Sequence, residues 1–578
     1  MELDTALEVL SRIWGRFQMV NYSLLCVPIM FHASFYLSYV FTAKQVEHRC
    51  FIPECESDPL LADLRPAWLP TAMRDSCSRL ATIPDDNSTW TCTPESFTNV
   101  STTCSQWVYP SRQLSIMSEW DMTCKDNWKV TLVGTINNIG RFCGMPMAGL
   151  VSDRFGRRTV LLAGLALAGV MGLMRSLATN YVFFVVFEFL DPLCYAGLFS
   201  AAFILGMELM PAKKRVIWSA FTHGVYAAGE ALLGVVAWAL LDWRWTLRAF
   251  YGPALLSLSV LWVLPESIRW LASKGRTKEA LSIIRRAAHL NRIPADQLNI
   301  DDIKLAAAAD NETAGADKDE QTVSQELRQT LRSRVLLWRL LNCCFCWLTN
   351  MFVYDGLSLN SVAVAGNQYL NFILVCLIEV PAGLAAWLLM ERAGRRASMC
   401  SSLILAGLAC IVFHFLPADL AWARVTVFLL GKFGITISYT VIYVLTAELF
   451  PTKVRHSLFA VCSTIGRVGS ILAPQTPLLA RHLDSLPLIM FGSMSLLSGV
   501  LAFWFPETHN VKLPDTVEEA EQIGVRKKTA KKAPEQQGHV NEVFTVEDSA
   551  PGATNGHALA VDVDLDAEAG PETTSVRL

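Results

Sequence analysis

The chain reads as an all-α membrane protein of twelve transmembrane helices arranged in two six-helix halves. Three observations carry that reading. Its 578 residues are 52% hydrophobic and only 17% charged, where a soluble chain carries about 25% charged residues. Apolar runs long enough to cross a bilayer recur along most of the sequence. Three short motifs return at nearly constant spacing. Gly149-Leu-Val-Ser-Asp153-Arg154-Phe155-Gly156-Arg157-Arg158 returns as Glu391-Arg392-Ala-Gly394-Arg395-Arg396, Glu208-Leu-Met-Pro211-Ala-Lys-Lys-Arg215 as Glu448-Leu-Phe-Pro451-Thr-Lys-Val-Arg455, and Pro265-Glu266-Ser267 as Pro506-Glu507-Thr508. Asp153 and Glu391, Glu208 and Glu448, and Glu266 and Glu507 stand 238, 240 and 241 residues apart. Chance recurrence of basic turns accounts for one such pair, not for three. Duplicated halves are the architecture of a secondary transporter.

Residues 1–19 are polar and mixed in charge, with no cleavable signal pattern, so the first span is expected to stay in place as an anchor. The N-terminal half covers 20–264. Its first apolar run, Val20 to Thr42, is followed by a polar loop over 43–128 that holds Cys50, Cys55, Cys77, Cys92, Cys104 and Cys124. Two glycosylation acceptors, Asn87 and Asn99, lie in the same loop. An even set of cysteines beside acceptor sites, with no CxxC pair for zinc, predicts an oxidised extracellular domain with three bridges of open connectivity. Most of the other cysteines fall in apolar runs and read as small packing residues. Spans follow near 129–149, 159–178, 181–206, 216–241 and 247–264. The basic turns after the second and fourth are expected in the cytoplasm, which puts the cysteine-rich loop outside.

A central cytoplasmic loop, 265–335, contains helical runs such as Thr277 to Ala288. The C-terminal half, 336–505, supplies spans near 336–356, 368–390, 398–416, 424–447, 457–478 and 486–505, so both termini are expected in the cytoplasm. The tail, 506–578, is polar and expected to be disordered. Its basic run Arg526 to Lys532 is either solvated or in touch with anionic lipid heads, and Val576-Arg577-Leu578 has the form of a segment that adds a strand to a PDZ domain. Nothing points to a nucleic-acid partner, a cofactor or a metal. No nucleophile–base constellation, metal spacing or phosphate loop argues for an enzyme.

Longer motifs narrow the reading. Ser118-Glu119-Trp120-Asp121-Met-Thr-Cys124, Ser152-Asp153-Arg154-Phe155-Gly156-Arg157-Arg158, Asp242-Trp243-Arg244-Trp245, Pro265-Glu266-Ser267-Ile268-Arg269-Trp270-Leu271 and Thr446-Ala447-Glu448-Leu449-Phe450-Pro451-Thr452 occur in this order through residues 45–510. With the large cysteine-bearing loop after the first span, the chain resembles the organic ion transporters of the major facilitator superfamily. That solute-carrier group holds organic cation, carnitine or zwitterion, and organic anion transporters, and some details here resemble an insect-type branch. The resemblance implies alternating access, a central site for a small organic ion, and a plasma-membrane location. It also implies gate motifs at Asp153, Arg154, Gly156, Arg157, Arg158, Glu208, Arg215, Glu266, Arg269, Glu391, Arg392, Gly394, Arg395, Arg396, Glu448 and Arg455.

An ionisable residue inside a span is costly and therefore a candidate for function. Arg467, in the eleventh span, stands where related cation transporters place an Asp and the anion and carnitine branches an Arg. It either clamps a substrate carboxylate or forms a structural ion pair. Glu379, in Leu-Ile-Glu379-Val-Pro381, matches the group's Glu-Phe-Pro pattern and either attracts a cation, carries a proton or pairs with Arg467. Glu230 and Asp355 add negative charge, Asp355 near the outer surface, and Thr440 replaces a Glu of the cation transporters. Trp347 and Tyr354, seven apart on one helix face, match pocket aromatics of the family and suit a quaternary amine. Tyr226, Tyr439 and Tyr443 are further candidates. Glu188 stands where facilitators often carry an Arg. With Asp191 it is expected to face the cavity or Arg141, and Pro192 to kink the helix. These features predict a carrier of small organic amines or zwitterions, carnitine- or carcinine-like. The alternatives are an organic anion exchanger and a receptor binding ligand through its outer loop.

Overall fold

The computed structural model describes residues 15–523, apart from 60–61, 71–76, 83–91, 112–113, 210–214, 294–324, 481–482 and positions 365, 418, 484, 512 and 515. Helices stand at every expected span: Arg16–Thr42, Asn127–Phe155, Arg157–Ser176, Tyr181–Glu208, Arg215–Leu240, Trp243–Leu261, Arg334–Asn360, Gln368–Ala393, Arg395–Phe415, Ala421–Leu449, Thr452–Leu472 and Leu486–Ala502. Among the described residues, nine helical stretches are long and apolar enough to cross a bilayer on their own. The second span carries Arg141 and three asparagines, the sixth Arg244 and Arg248, and the twelfth has 17 residues. These three need their neighbours.

Two spans are interrupted. The eighth stops at Leu377 and resumes at Glu379, because the ring of Pro381 collides with the carbonyl four residues back, that of Leu377. The fourth breaks at Ala196–Gly197, one turn beyond Pro192, where the glycine yields more readily than the proline itself.

The recurring motifs meet in one clamp per half. Gly156 (φ +99°) and Gly394 (φ +86°) sit in the turns before the third and ninth spans. A Cβ at either would run into the carboxylate of Glu266 or Glu507. That carboxylate caps the following helix. Glu266 accepts from the backbone N–H of Arg157 (3.0 Å) and Arg158 (3.2 Å), and Glu507 from Arg395 (2.8 Å) and Arg396 (3.2 Å). Unpaired N–H groups and the helix dipole both favour an anion there. Arg157 then reaches Asp153 at 3.2 Å and Glu208 at 3.6 Å, while Arg395 reaches Glu448 at 3.3 Å. Arg158 donates to the Trp262 carbonyl (2.6 Å), Arg154 lies over Phe155, and Arg455 turns back to the Phe450 carbonyl (3.3 Å). Glu391 and Arg392 are exposed, and Arg269 stands on the short helix Ile268–Ser273. The side chain of Arg215 lies outside the described residues.

From each clamp the chain returns, on the face of the basic turns, to the first span of its own half. In the N-terminal half, helices Ile268–Ser273 and Thr277–Leu290 lead to Asn291, which accepts from the Phe17 N–H (3.0 Å) and donates to Gln18 (2.8 Å). In the C-terminal half, Thr508 donates to Glu448 (2.5 Å) and the Pro514 carbonyl accepts from the Thr452 N–H (3.0 Å). Arg339 then donates to the carbonyls of Ala520 (2.6 Å) and Ile523 (2.9 Å) at the end of helix Val517–Gln522. The tail is therefore folded as far as residue 523, against the expectation of disorder from Pro506. A capping carboxylate and a guanidinium at a helix C-terminus hold it. The run 526–532 and residues 576–578 lie outside the described residues.

The outer loop contains two antiparallel pairs, β1 (Arg49–Cys50) with β4 (Trp107–Val108) and β2 (Ser78–Thr82) with β3 (Phe97–Thr103). Its six cysteines pair as Cys50–Cys104, Cys55–Cys92 and Cys77–Cys124. Asn99 is exposed on β3, and Asn87 lies outside the described residues. Arg79 on β2 binds Glu54 and holds its carboxyl below the usual range. Glu119 ties the loop to the body through Trp243 Nε1 (2.7 Å) and Arg244 (2.5 Å), so two of the longer sequence motifs touch one another.

Hydrogen bonds between the halves run through the ends of the spans nearest this loop: Tyr36 to Asp355 (2.8 Å), Thr131 to Gln475 (3.2 Å), Thr135 to the Ile471 carbonyl (3.0 Å) and Lys44 to Tyr369 (3.2 Å). Phe41 and Trp238 stack on Tyr369 beside them. The seam beside this loop is closed. Burial in this seam pulls the Lys44 pKa down to about 8 from its ordinary 10.5. Within the N-terminal half, Arg175, Glu188 and Asp191 are fully buried together. Arg175 Nη1 lies 2.8 Å from Glu188 and 3.3 Å from Asp191, and Tyr251 donates to Asp191. The two acids thus face Arg175 of the third span, not Arg141 or the cavity.

Two outcomes are expected. Arg175→Met strands two buried carboxyls and should cost about 3–5 kcal/mol, read as loss of folded protein in thermal melts, with Glu188→Gln in the same background recovering part of it. Separating the halves exposes Lys44 and restores its ordinary pKa, so the closed state binds fewer protons between pH 8 and 10.5. Raising pH through 8 should therefore favour outer closure, measured by a fluorescent probe pair across the seam, and Lys44→Met should abolish that dependence.

Candidate functional site

Mid-membrane, the faces of both halves carry aromatic and ionised side chains. In the C-terminal half, Tyr354 of the seventh span stacks on Tyr439 of the tenth (centroids 5.0 Å apart), and Tyr439 meets Tyr443 (5.3 Å) with their hydroxyls 3.1 Å apart. Tyr443 packs on Trp347 (4.6 Å) and Phe459 (5.7 Å) and is itself 37% exposed. Trp347 is fully buried and donates its indole N–H to Thr446 (2.8 Å). It supports the wall from behind instead of forming its surface. In the N-terminal half, Tyr226 meets Phe199 (5.5 Å), His32 (6.0 Å) and Tyr36 (6.4 Å).

The charges sort into paired and unpaired. Glu379, at the break in the eighth span, pairs with Lys432 of the tenth at 2.9 Å and accepts from the Tyr354 hydroxyl. Lys432 also donates to Ser358 (2.7 Å) and lies 3.3 Å from the centre of the Tyr354 ring. The partner of Glu379 is therefore Lys432, not Arg467: a fully buried lysine cannot keep its charge without a nearby carboxylate. Lys432 was missed from the sequence, although it stands alone within an apolar run, the signal that singled out Arg467. Glu230 is buried across the half interface, within electrostatic reach of Glu379 and Lys432. Thr440 is satisfied by the Thr436 carbonyl of its own helix (3.1 Å).

Arg467 is different. It is part-exposed, acts electrostatically on Tyr439 and Tyr443, and makes no ion pair or hydrogen bond among the described residues. A guanidinium free beside tyrosine rings offers a planar donor fork to a carboxylate and ring faces to an amine. Asp355, expected near the outer surface, is buried under the Tyr36 hydroxyl close to the end of the seventh span.

Residues 92–519 match the family described as "Sugar (and other) transporter". Solute carrier family 22 member 21 of Mus musculus is 34% identical over 532 residues, covering 88% of this chain and 92% of that protein. Organic cation/carnitine transporter 2 of Homo sapiens is 33% identical over 531 residues (88% and 92%), and the organic cation transporter protein of Drosophila melanogaster 31% over 537 residues (92% and 96%). The inward-open xylose transporter XylE from E. coli superposes with a TM-score of 0.54 at 16% identity, over 88% of this chain and 99% of that one, a likeness of fold. With clamps, duplicated halves and relatives in agreement, the chain belongs to the sugar (and other) transporter family of the major facilitator superfamily, in the group that holds the organic cation and carnitine transporters.

Proposed function

We propose that this protein moves small organic cations or zwitterions, amine- or carnitine-like, across the plasma membrane by alternating access, with both termini in the cytoplasm. The single observation that carries the reading is Arg467, an unpaired, part-exposed cation among tyrosines. A charge held at that depth without a partner is maintained for a ligand. Glu230, together with Glu379 and Asp355 within its electrostatic reach, weighs against a carrier of anions alone, and the names of the relatives above agree. The basic turns support the cytoplasmic placement of the termini. The clamps of both halves would act as rigid grips, so that each half rocks as a unit around the aromatic centre.

Uptake of labelled carnitine, choline and para-aminohippurate into cells expressing the chain tests this. Arg467→Ala should lower carnitine uptake about tenfold or more, as loss of a bidentate carboxylate contact does, while choline uptake stays within about twofold. Choline and carnitine falling together would make Arg467 structural, and hippurate uptake alone would move the protein to the anion exchangers. Lys432→Met should lower uptake of every substrate and destabilise the fold. Adding Glu379→Gln should recover stability, because the two charges act as one unit, and a purely additive double mutant would sink that pairing.

A further inference from the structure

One pair of opposite charges between the halves is left incomplete by the protein. Arg141, midway along the second span, and Asp355, near the end of the seventh, are 6% and 2% exposed. Tyr36 of the first span stands between them. The Arg141 guanidinium lies 3.7 Å from the centre of its ring, and its hydroxyl donates to Asp355 Oδ1 at 2.8 Å. Arg141 Nη2 is taken by Asn138. Among the described residues, Arg141 Nη1 and Asp355 Oδ2, both buried, have no hydrogen-bond partner. Asp355 acts electrostatically on Arg141. Structural pairs elsewhere in this protein do close: Lys432 bonds Glu379 at 2.9 Å and Arg175 bonds Glu188 at 2.8 Å. A buried guanidinium N–H and a buried carboxylate oxygen left unmade are expensive, and here both belong to residues facing one interface.

The geometry points to a second charged subsite, separate from Arg467, in which Arg141 takes the carboxylate and Asp355 the ammonium of a single zwitterionic solute. A free guanidinium N–H matches a carboxylate, and a desolvated carboxylate attracts an ammonium of any substitution. The Tyr226 and Tyr439 hydroxyls act on Tyr36 from either half, which places the subsite against the same aromatic walls. Because Tyr36 and Asp355 belong to different halves, their hydrogen bond requires the outer ends to be together. Tyr36 and the ammonium therefore compete for Asp355: closure installs the hydroxyl and loosens the solute, and opening returns the carboxylate to it. This subsite rests on the transporter reading above only for its consequence, not for its binding.

The test is equilibrium binding of labelled carnitine and choline, an ammonium with and without a carboxylate, to the purified full-length chain. Arg141→Gln should weaken carnitine about tenfold and leave choline within about twofold; Asp355→Asn should weaken both about tenfold. Tyr36→Phe, which removes only the competing hydroxyl, should tighten choline and remains informative if either charge variant fails to fold. Affinities unchanged in Arg141→Gln and Asp355→Asn, choline unchanged in Tyr36→Phe, or a wild-type chain that binds neither ligand would overturn the subsite. Intact, variant-sensitive binding with no uptake in cells would instead overturn the transporter reading and leave the subsite standing.

Discussion

A charge in the low-dielectric interior of a helical bundle is tolerated when a partner stands within hydrogen-bonding distance, and most of this architecture follows from that requirement. Arg175 answers Glu188 and Asp191 in the N-terminal half, and Lys432 answers Glu379 in the C-terminal half. These pairs sew the third span to the fourth and the eighth to the tenth, so each doubles as a packing constraint. The sewing also gives Arg467 its meaning. With Glu379 engaged by Lys432, Arg467 is left facing the tyrosines, without an ion pair among the described residues.

The same electrostatic logic builds the rim that carries the basic turns. A carboxylate on the segment leaving each half, Glu266 or Glu507, is drawn to the exposed N–H groups at the start of that half's third helix. The glycine before that helix is needed because the carboxylate occupies the space of a side chain. Arginine, glycine and glutamate, scattered over more than a hundred residues, therefore form one object twice. The straps running on from each clamp reach Phe17 and Arg339, both in the first two turns of the first and seventh spans. Each half is thereby tied into a unit from its last helix back to its first, a condition for rigid-body rocking.

At the rim beside the disulfide-bonded loop the bonding is sparser and runs between halves. Single hydroxyl, amide and ammonium contacts, together with stacked rings on Tyr369, hold the seam. Such contacts exchange readily for water, unlike the buried ion pairs inside each half. The seam is therefore the weaker joint, and the interior of each half the stronger one.

Legible in the linear order are the helices, their duplication, the cysteine-rich loop and the residues too charged to sit in lipid without reason. Each of those is a local or periodic property: apolar length, motif spacing, cysteine clustering, an ion within an apolar run. Pairing was beyond its reach. That Glu379 meets Lys432 instead of Arg467, that Glu188 meets Arg175 instead of Arg141, and that Asp355 lies under Tyr36 depends on which faces of distant helices are turned toward one another. Fold at residues 506–523 was hidden for the same reason, since a polar segment becomes ordered only when capping groups from other helices reach it. Linear order records which charges exist. Only the packing of helices decides which of them cancel and which remain for a ligand.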